Sequence, residues 1–383
     1  MKLQDFKVGF PLASVWFGAL VGPSLLTGVF GTVYFAPYGG AWSMLIMLAS
    51  VLVAVTLIVF ASEVTKRNQA YHFGAMSKAM YGKWDPILGT ILNIYMLVSV
   101  LVGAGTVIAT TSSLLQDLLG VSPLLGSVMM AALCTFLAAF GAKFVRAISS
   151  VMSVILIVGM ALLVGIIVYF NHGSWGQILT SWVPADGYKV SAGFYGAVVL
   201  ALYQSSFAMH LCSVEQTLKT KGHTIAFAIS CVVLLFIAFC ASTLMVLPYI
   251  PEVLPENIPL ISIIQNHFGK LSAIGTVLYT VTMFFALVSS AVPIMQSCIA
   301  RVDGWYPRKG LLNSVICRNV ITGILFWVIA LCVSFLGLKG IVSTVYSYLG
   351  YAAVPLIVIP CCFVLPIKRS RAKRRAALDS KNN

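Results

Sequence analysis

The chain has 383 residues, of which 60% are hydrophobic and 9% charged, with a mean hydropathy of +0.99 and a formal net charge of +14. A water-soluble domain carries about 25% charged residues, so this composition excludes a protein wrapped in water and points to one dissolved in a bilayer. Lys2 and Lys7 precede an apolar run too long for a signal-peptide core and without a small-residue cleavage site, so that run reads as a first membrane span.

A spanning helix needs about 20 mostly apolar residues. In chain order the windows 11–35, 41–62, 86–115, 123–141, 148–170, 191–217, 224–248, 271–299, 315–336 and 340–366 meet that requirement. The expectation is an all-α integral membrane protein of about ten transmembrane helices. Orientation follows from where the cations fall. With the amino terminus in the cytoplasm, all but Lys189, Lys270 and Lys339 of the 24 Lys and Arg residues lie on the inner side. Adding or removing one helix scrambles that asymmetry, so both termini are expected in the cytoplasm, beneath a bacterial cell (inner) membrane. The basic tail KRSRAKRR reads first as the determinant that ends the last span, and second as a contact for anionic lipid. The net charge needs no nucleic acid to explain it.

Two outside loops are longer than the rest. Residues 171–190 carry Trp175 and Trp182, suited to the headgroup level. Residues 249–270 hold three prolines and an amphipathic stretch from Ile258 to Phe268, which reads either as a short helix capping an outward vestibule or as an interfacial loop. The nine cysteines form no CxxC pair. Cys134, Cys231, Cys240 and Cys332 sit inside apolar runs and Cys212 and Cys298 near span ends, where cysteine behaves as a small hydrophobe. Cys361 and Cys362 read as lipid-facing, with acylation as the alternative.

Two spans are interrupted, and a third carries paired hydroxyls. The first, VWFGALVGPSLLTGVFGTVYF, contains Pro23, which removes a backbone donor, among Gly18, Gly22, Gly28 and Gly31. In lipid the freed backbone groups need partners; a cation or substrate headgroup supplies them, with Ser24 and Thr27 adding hydroxyls. A kinked helix whose glycines pack against neighbours is the competing account. The sixth span carries Tyr203, Gln204, Ser205 and Ser206 in succession, facing all sides of a helix, so some must line a cavity or an unwound segment. The eighth carries Ser289 and Ser290 just before Pro293, paired hydroxyls suited to Na⁺. The two halves of such a chain, 1–170 and 191–366, each begin on an interrupted span; five being odd, the second half is inserted upside down, an arrangement that builds many secondary transporters. The segment 171–190 then connects the halves and 367–383 is the tail.

Ionisable groups within spans are scarce. His210 and Glu215 follow the polar cluster of the sixth span and form a candidate proton relay, while Glu215 equally reads as an interfacial residue balancing Lys219. HExxH, GxSxG and P-loop motifs are absent, so the chain is expected to be no enzyme and to use no ATP; no cofactor beyond a Na⁺ ion is implied.

The stretch GPSLLTG followed by FAPYGG resembles the GAGFATG…FF..YG signature that opens the YkvI-like family of bacterial membrane proteins, placed in the amino acid–polyamine–organocation superfamily. Length, span number and the YGKWDP segment before the third span fit as well. The resemblance implies a LeuT-like fold of two inverted five-helix repeats with broken first and sixth helices. Gly22, Thr27 and Gly28 match the motif, Ser24 and Leu25 depart from it, and the acidic residue that usually follows is replaced by Val29 and Phe30. By likeness to LeuT-like transporters, the break in span one and Ser289 and Ser290 form a sodium site. The expected function is a Na⁺- or H⁺-coupled transporter of a small polar or zwitterionic solute. Gly22, Pro23, Ser24, Thr27, Gly28 and the Tyr203–Ser206 cluster hold the solute, while Gly22, Ser289 and Ser290 hold the ion. A ligand-binding sensor without flux and a scaffold subunit are the alternatives.

Overall fold

In a computed structural model, residues 2–20, 22–139, 142–211, 215–302 and 314–365 are described, and among them the chain is all-α. The helices are α1 (Leu3–Leu20), α2 (Pro23–Leu26), α3 (Gly40–Asn68), α4 (Phe73–Tyr81), α5 (Asp85–Leu119), α6 (Pro123–Ala139), α7 (Ala142–Phe170) and α8 (Trp175–Thr180). Then follow α9 (Val190–Ser205), α10 (Ala208–Leu211), α11 (Lys221–Leu244), α12 (Pro259–His267), α13 (Ser272–Val302), α14 (Val315–Ser334), α15 (Gly337–Gly340) and α16 (Tyr346–Ala353). Among the described residues, six continuous helical stretches are long and apolar enough to cross a membrane: Gly40–Asn68, Phe73–Leu119, Lys221–Tyr249, Gly269–Ala291, Val315–Ser334 and Gly337–Val364. Pro123–Phe136, Ile155–Phe170 and Val190–Ser205 are shorter apolar helices.

Helix ends depart from the hydropathy windows where polar groups carry the helix into the interface. α1 starts at Leu3, well before the apolar run, because Asp5 in its first turn accepts the Lys2 N–H at 2.7 Å. α3 runs on to Asn68 on Glu63, which pairs with Lys66 at 3.5 Å and Arg67 at 2.9 Å, and it ends at Gln69 in the left-handed conformation. α4 was not expected; the ring of His72 caps it by accepting the Ala75 N–H at 3.1 Å. The sixth window splits: α9 ends at Ser205, residues 206–207 form a turn, and α10 reaches only Leu211, so Glu215 opens a 3₁₀ turn beyond these helices.

α1 and α11 pack against each other, α3 lies on α9 and α11, and α13 lies against α5, α6 and α7. The last helix, Gly337–Val364, is threaded with π turns at Ile341–Val345, Val354–Val358 and Pro360–Val364. Its α16 segment approaches α9 so closely that a methyl at Gly350 would lie 2.5 Å from the Val199 carbonyl oxygen. Ser50 Oγ on α3 donates to the Ala197 carbonyl of α9 at 3.0 Å.

Of the two readings of the loop 249–270, the structure takes the helix. α12 buries Leu260, Ile261, Ile263 and Ile264, and its Leu260 N–H donates to the Thr27 carbonyl at 3.1 Å. Trp182 is exposed, with its ring edge-on to Trp42 at 5.0 Å, while Trp175 Nε1 donates to the Val168 carbonyl at 3.1 Å. Cys361 is buried, not lipid-facing, and Arg318, counted from sequence among the inner-loop cations, is buried in α14. Cys212 and the basic tail lie outside the described residues.

Candidate functional site

The first break is built by backbone chemistry. Helix α1 stops at Leu20 and α2 begins at Pro23, whose missing N–H costs nothing at a helix start. The Gly22 N–H donates to the Leu20 carbonyl at 2.8 Å, and the Gly22 carbonyl accepts from Leu25 at 3.2 Å. Each carbonyl keeps a second lone pair. After α2 the chain turns through Gly28 at φ +84°, a conformation open to glycine, and its α-carbon lies where a methyl would meet Val246 Cγ1 at 2.6 Å. A π turn at Gly31–Phe35 follows. Such turns reorient side chains and cluster at functional sites.

The candidate residues of the first break face different partners. Thr27 is spent: its hydroxyl donates to the Ser24 carbonyl at 2.9 Å and its carbonyl is taken by Leu260. It therefore knots the break to α12. Ser24 is turned instead toward the Tyr346 hydroxyl and is buried at 2% exposure. The Pro23 side chain lies outside the described residues.

At the second break the same sorting applies. Ser205 Oγ bonds back to the Leu202 carbonyl at 2.6 Å, so it serves its own helix. Gln204 Oε1 and Ser206 Oγ are buried without a hydrogen-bond partner, although Ser206 faces the Tyr95 hydroxyl. Tyr203 stacks on Tyr346 with centroids 4.4 Å apart and planes 22° from parallel, and Phe30 approaches Tyr346 at 6.2 Å. The two breaks thus meet at one ring: Ser24 from the first, Tyr203 from the second and Thr106 from α5 all face the Tyr346 hydroxyl. A buried polar group without a partner costs about 1–3 kcal/mol, so Gln204 and Ser206 are expensive unless a ligand satisfies them.

The eighth-span serines also part ways. Ser289 Oγ donates to the Ala286 carbonyl at 3.0 Å, whereas Ser290 Oγ is buried and unpartnered. A methyl built on Gly22 would sit 3.9 Å from Ser290 Oγ, which places that hydroxyl against the first break. Oxygen donors of this kind, a hydroxyl with carbonyls at a helix break, fit a hard cation.

Glu215 lies elsewhere. Its side chain is fully buried at 0% exposure, Oε1 accepts from Ser62 Oγ of α3 at 2.5 Å, and Oε2 has no partner. No ion pair joins it to Lys219 among the described residues, so the interfacial balancing expected from sequence does not occur. The side chain of His210 lies outside the described residues, and the relay with it.

Sequence reasoning missed Tyr346, Tyr95, Thr106, Phe30 and Leu260. Each is an ordinary apolar or hydroxyl residue in its own span or loop, with nothing in the local pattern to mark it. Tyr346 lies directly after a π turn, and no sequence period announces such a turn.

No protein-family model matches the chain. Over 366 residues it is 22% identical to the uncharacterized membrane protein YkvI of Bacillus subtilis (strain 168), covering 94% of this chain and 97% of that protein. Its fold is similar to that of Mhp1, a nucleobase-cation-symport-1 family transporter, in a closed conformation with bromovinylhydantoin bound: the TM-score is 0.67 at 16% identity, covering 95% of this chain and 79% of that one. Inward-facing Mhp1 gives a TM-score of 0.65 at 16% identity, over 92% of this chain and 75% of that one. MhsT in complex with L-phenylalanine gives 0.62 at 15% identity, over 94% and 96%. The chain is a membrane protein with the fold of LeuT-like transporters.

Proposed function

We propose that the chain is a secondary active transporter of a small polar or zwitterionic solute, an amino acid or a relative of one, driven by an ion gradient through alternating access in a bacterial cell membrane. The observation that carries this reading is the unpartnered Ser290 hydroxyl set against the broken backbone at Gly22. Buried oxygen donors left unsatisfied at a helix break are the makings of a cation site, and Na⁺ fits a site with no built-in charge from Lys, Arg, Asp or Glu. The solute site is the adjacent cluster of Ser24, Gln204 and Ser206 beside the Tyr203–Tyr346 stack. Its hydroxyls and amide suit a polar head, and its rings suit an apolar or planar body. The transporters of similar fold named above were captured with L-phenylalanine and bromovinylhydantoin, which supports a solute of this kind.

The same reading gives ten spans in two inverted halves, 1–170 and 191–366, joined by 171–190, with both termini in the cytoplasm and membership of the amino acid–polyamine–organocation superfamily. The basic tail at 367–383 then lies against the inner leaflet, within reach of anionic lipid. Rocking of one helix group against the other exposes the solute site to alternate sides. Purified chain in liposomes is expected to accumulate amino acids down an imposed Na⁺ gradient, and Ser290→Ala to weaken that uptake. Uptake indifferent to Na⁺ and pH gradients would sink the coupling, and saturable binding without any uptake would assign the chain to sensing instead.

A further inference from the structure

Glu215 presents a physical problem that the solute and sodium sites do not absorb. It is a carboxyl at 0% exposure with one oxygen that has no donor. An ionised, unpaired carboxylate so placed costs several kcal/mol, more than a single hydroxyl bond returns. The described groups around it offer no counter-charge. On α3, Ser62 donates to Oε1, and the Thr65 hydroxyl, also turned toward Glu215, donates to the Ala61 carbonyl at 3.1 Å. On the last helix the neighbour is the buried Cys361 thiol, with Tyr81 of α4 behind it, whose hydroxyl donates to the Leu356 carbonyl at 2.5 Å. Of the basic residues in the neighbouring segments, Lys66 pairs with Glu63 and bonds Thr224, Arg67 pairs with Glu63, the His223 ring lies 3.8 Å from Asp5, and Lys219 is exposed. Among the described residues, none forms an ion pair with Glu215.

We infer that Glu215 is a proton-binding site, loaded in this conformation and emptied when the 215–218 turn leaves α3 and the last helix. With the turn docked, the proton sits on Oε2 and the neutral acid accepts the Ser62 hydrogen bond on Oε1. When the turn separates, water reaches Oε2, takes the proton as hydronium and leaves a solvated carboxylate; redocking reverses the transfer. Undocking therefore releases one proton and becomes easier as pH rises. The turn directly precedes α11 and follows the second break, so its docking ties a proton to the position of the broken sixth helix. This last consequence rests on the transport reading; the proton site itself does not.

The test uses the full-length chain in phosphatidylcholine nanodiscs, without solute and without flux, so its outcome is separate from that of the uptake assay. The infrared spectrum is expected to show the carbonyl stretch of a buried carboxylic acid that disappears in alkaline buffer and is missing in Glu215→Gln. Maleimide labelling of Cys361, read by peptide mass spectrometry as the ratio of wild type to Glu215→Gln at each pH so that thiol ionisation cancels, is expected to rise by up to about tenfold per pH unit through the titration. Ser62→Ala removes a bond that favours the ionised form and is expected to move the midpoint to higher pH. That variant carries the test if Glu215→Gln does not fold. An acid band unchanged in Glu215→Gln, a flat labelling ratio, or an unmoved midpoint in Ser62→Ala overturns the inference. So does loss of the acid band when NaCl replaces choline chloride at constant pH, which would make the ligand Na⁺.

Discussion

Removing the Ser290 hydroxyl should make the chain more stable without sodium and less stable with it. In the structure Ser290 Oγ is buried with no partner, at 7% exposure of the residue. Such a hydroxyl costs about 1–3 kcal/mol, and Ser290→Ala removes that cost while losing only a few dispersion contacts, for a net gain of about 1 kcal/mol. A cation at one hundred times its dissociation constant stabilises the wild type by about 2.7 kcal/mol, and the variant forfeits most of that. The two stabilities therefore cross as sodium replaces choline at constant ionic strength, which thermal unfolding of the purified protein in detergent will show. Ser289→Ala is the control: its hydroxyl is already bonded to Ala286 at 3.0 Å, so the variant should lose at most about 1 kcal/mol and keep the full sodium response. A Ser290→Ala protein that is less stable in choline, or that keeps its sodium response, refutes the argument.

Gly28→Ala should destabilise by about 2–4 kcal/mol, part from forcing an alanine to a left-handed φ and part from overpacking, because its methyl lands 2.6 Å from Val246 Cγ1. Adding Val246→Ala should recover the steric part alone, as measured by thermal unfolding. Gln204→Leu should leave the fold intact, since Oε1 has no partner to lose, and abolish stabilisation by whichever amino acid shifts the wild-type melting curve. Tyr346→Phe takes away the hydroxyl shared by Ser24, Thr106 and Tyr203 while keeping the ring stack. It should weaken solute affinity by about tenfold, the worth of one hydrogen bond of about 1.4 kcal/mol, and lower the melting temperature, because buried hydroxyls lose a partner at a cost of about 1–3 kcal/mol.

The membrane character, the helical windows and the weak points at Gly22–Gly28 and Tyr203–Ser206 were all legible in the sequence, because each is a local property. An apolar run of about 20 residues, a proline that lacks its donor and a cluster of polar side chains mean the same thing wherever the chain folds. Local rules offered the short helix near Pro259 as one of two readings, and did not give its partner. What they could not decide is which donors are spent. Ser289 and Ser290 are identical in type and adjacent, yet one bonds its own helix and the other faces Gly22. Thr27 and Ser24 differ in the same way, and Glu215, which the sequence set beside Lys219, turned out to be buried against Ser62. Hydrogen bonds between spans join residues as far apart as Tyr34 and Val342, at 2.6 Å. The sequence thus determined where the backbone must break. Tertiary packing decided which polar atoms at those breaks were left unsatisfied, because satisfaction depends on atoms that distant spans bring to within about 3 Å.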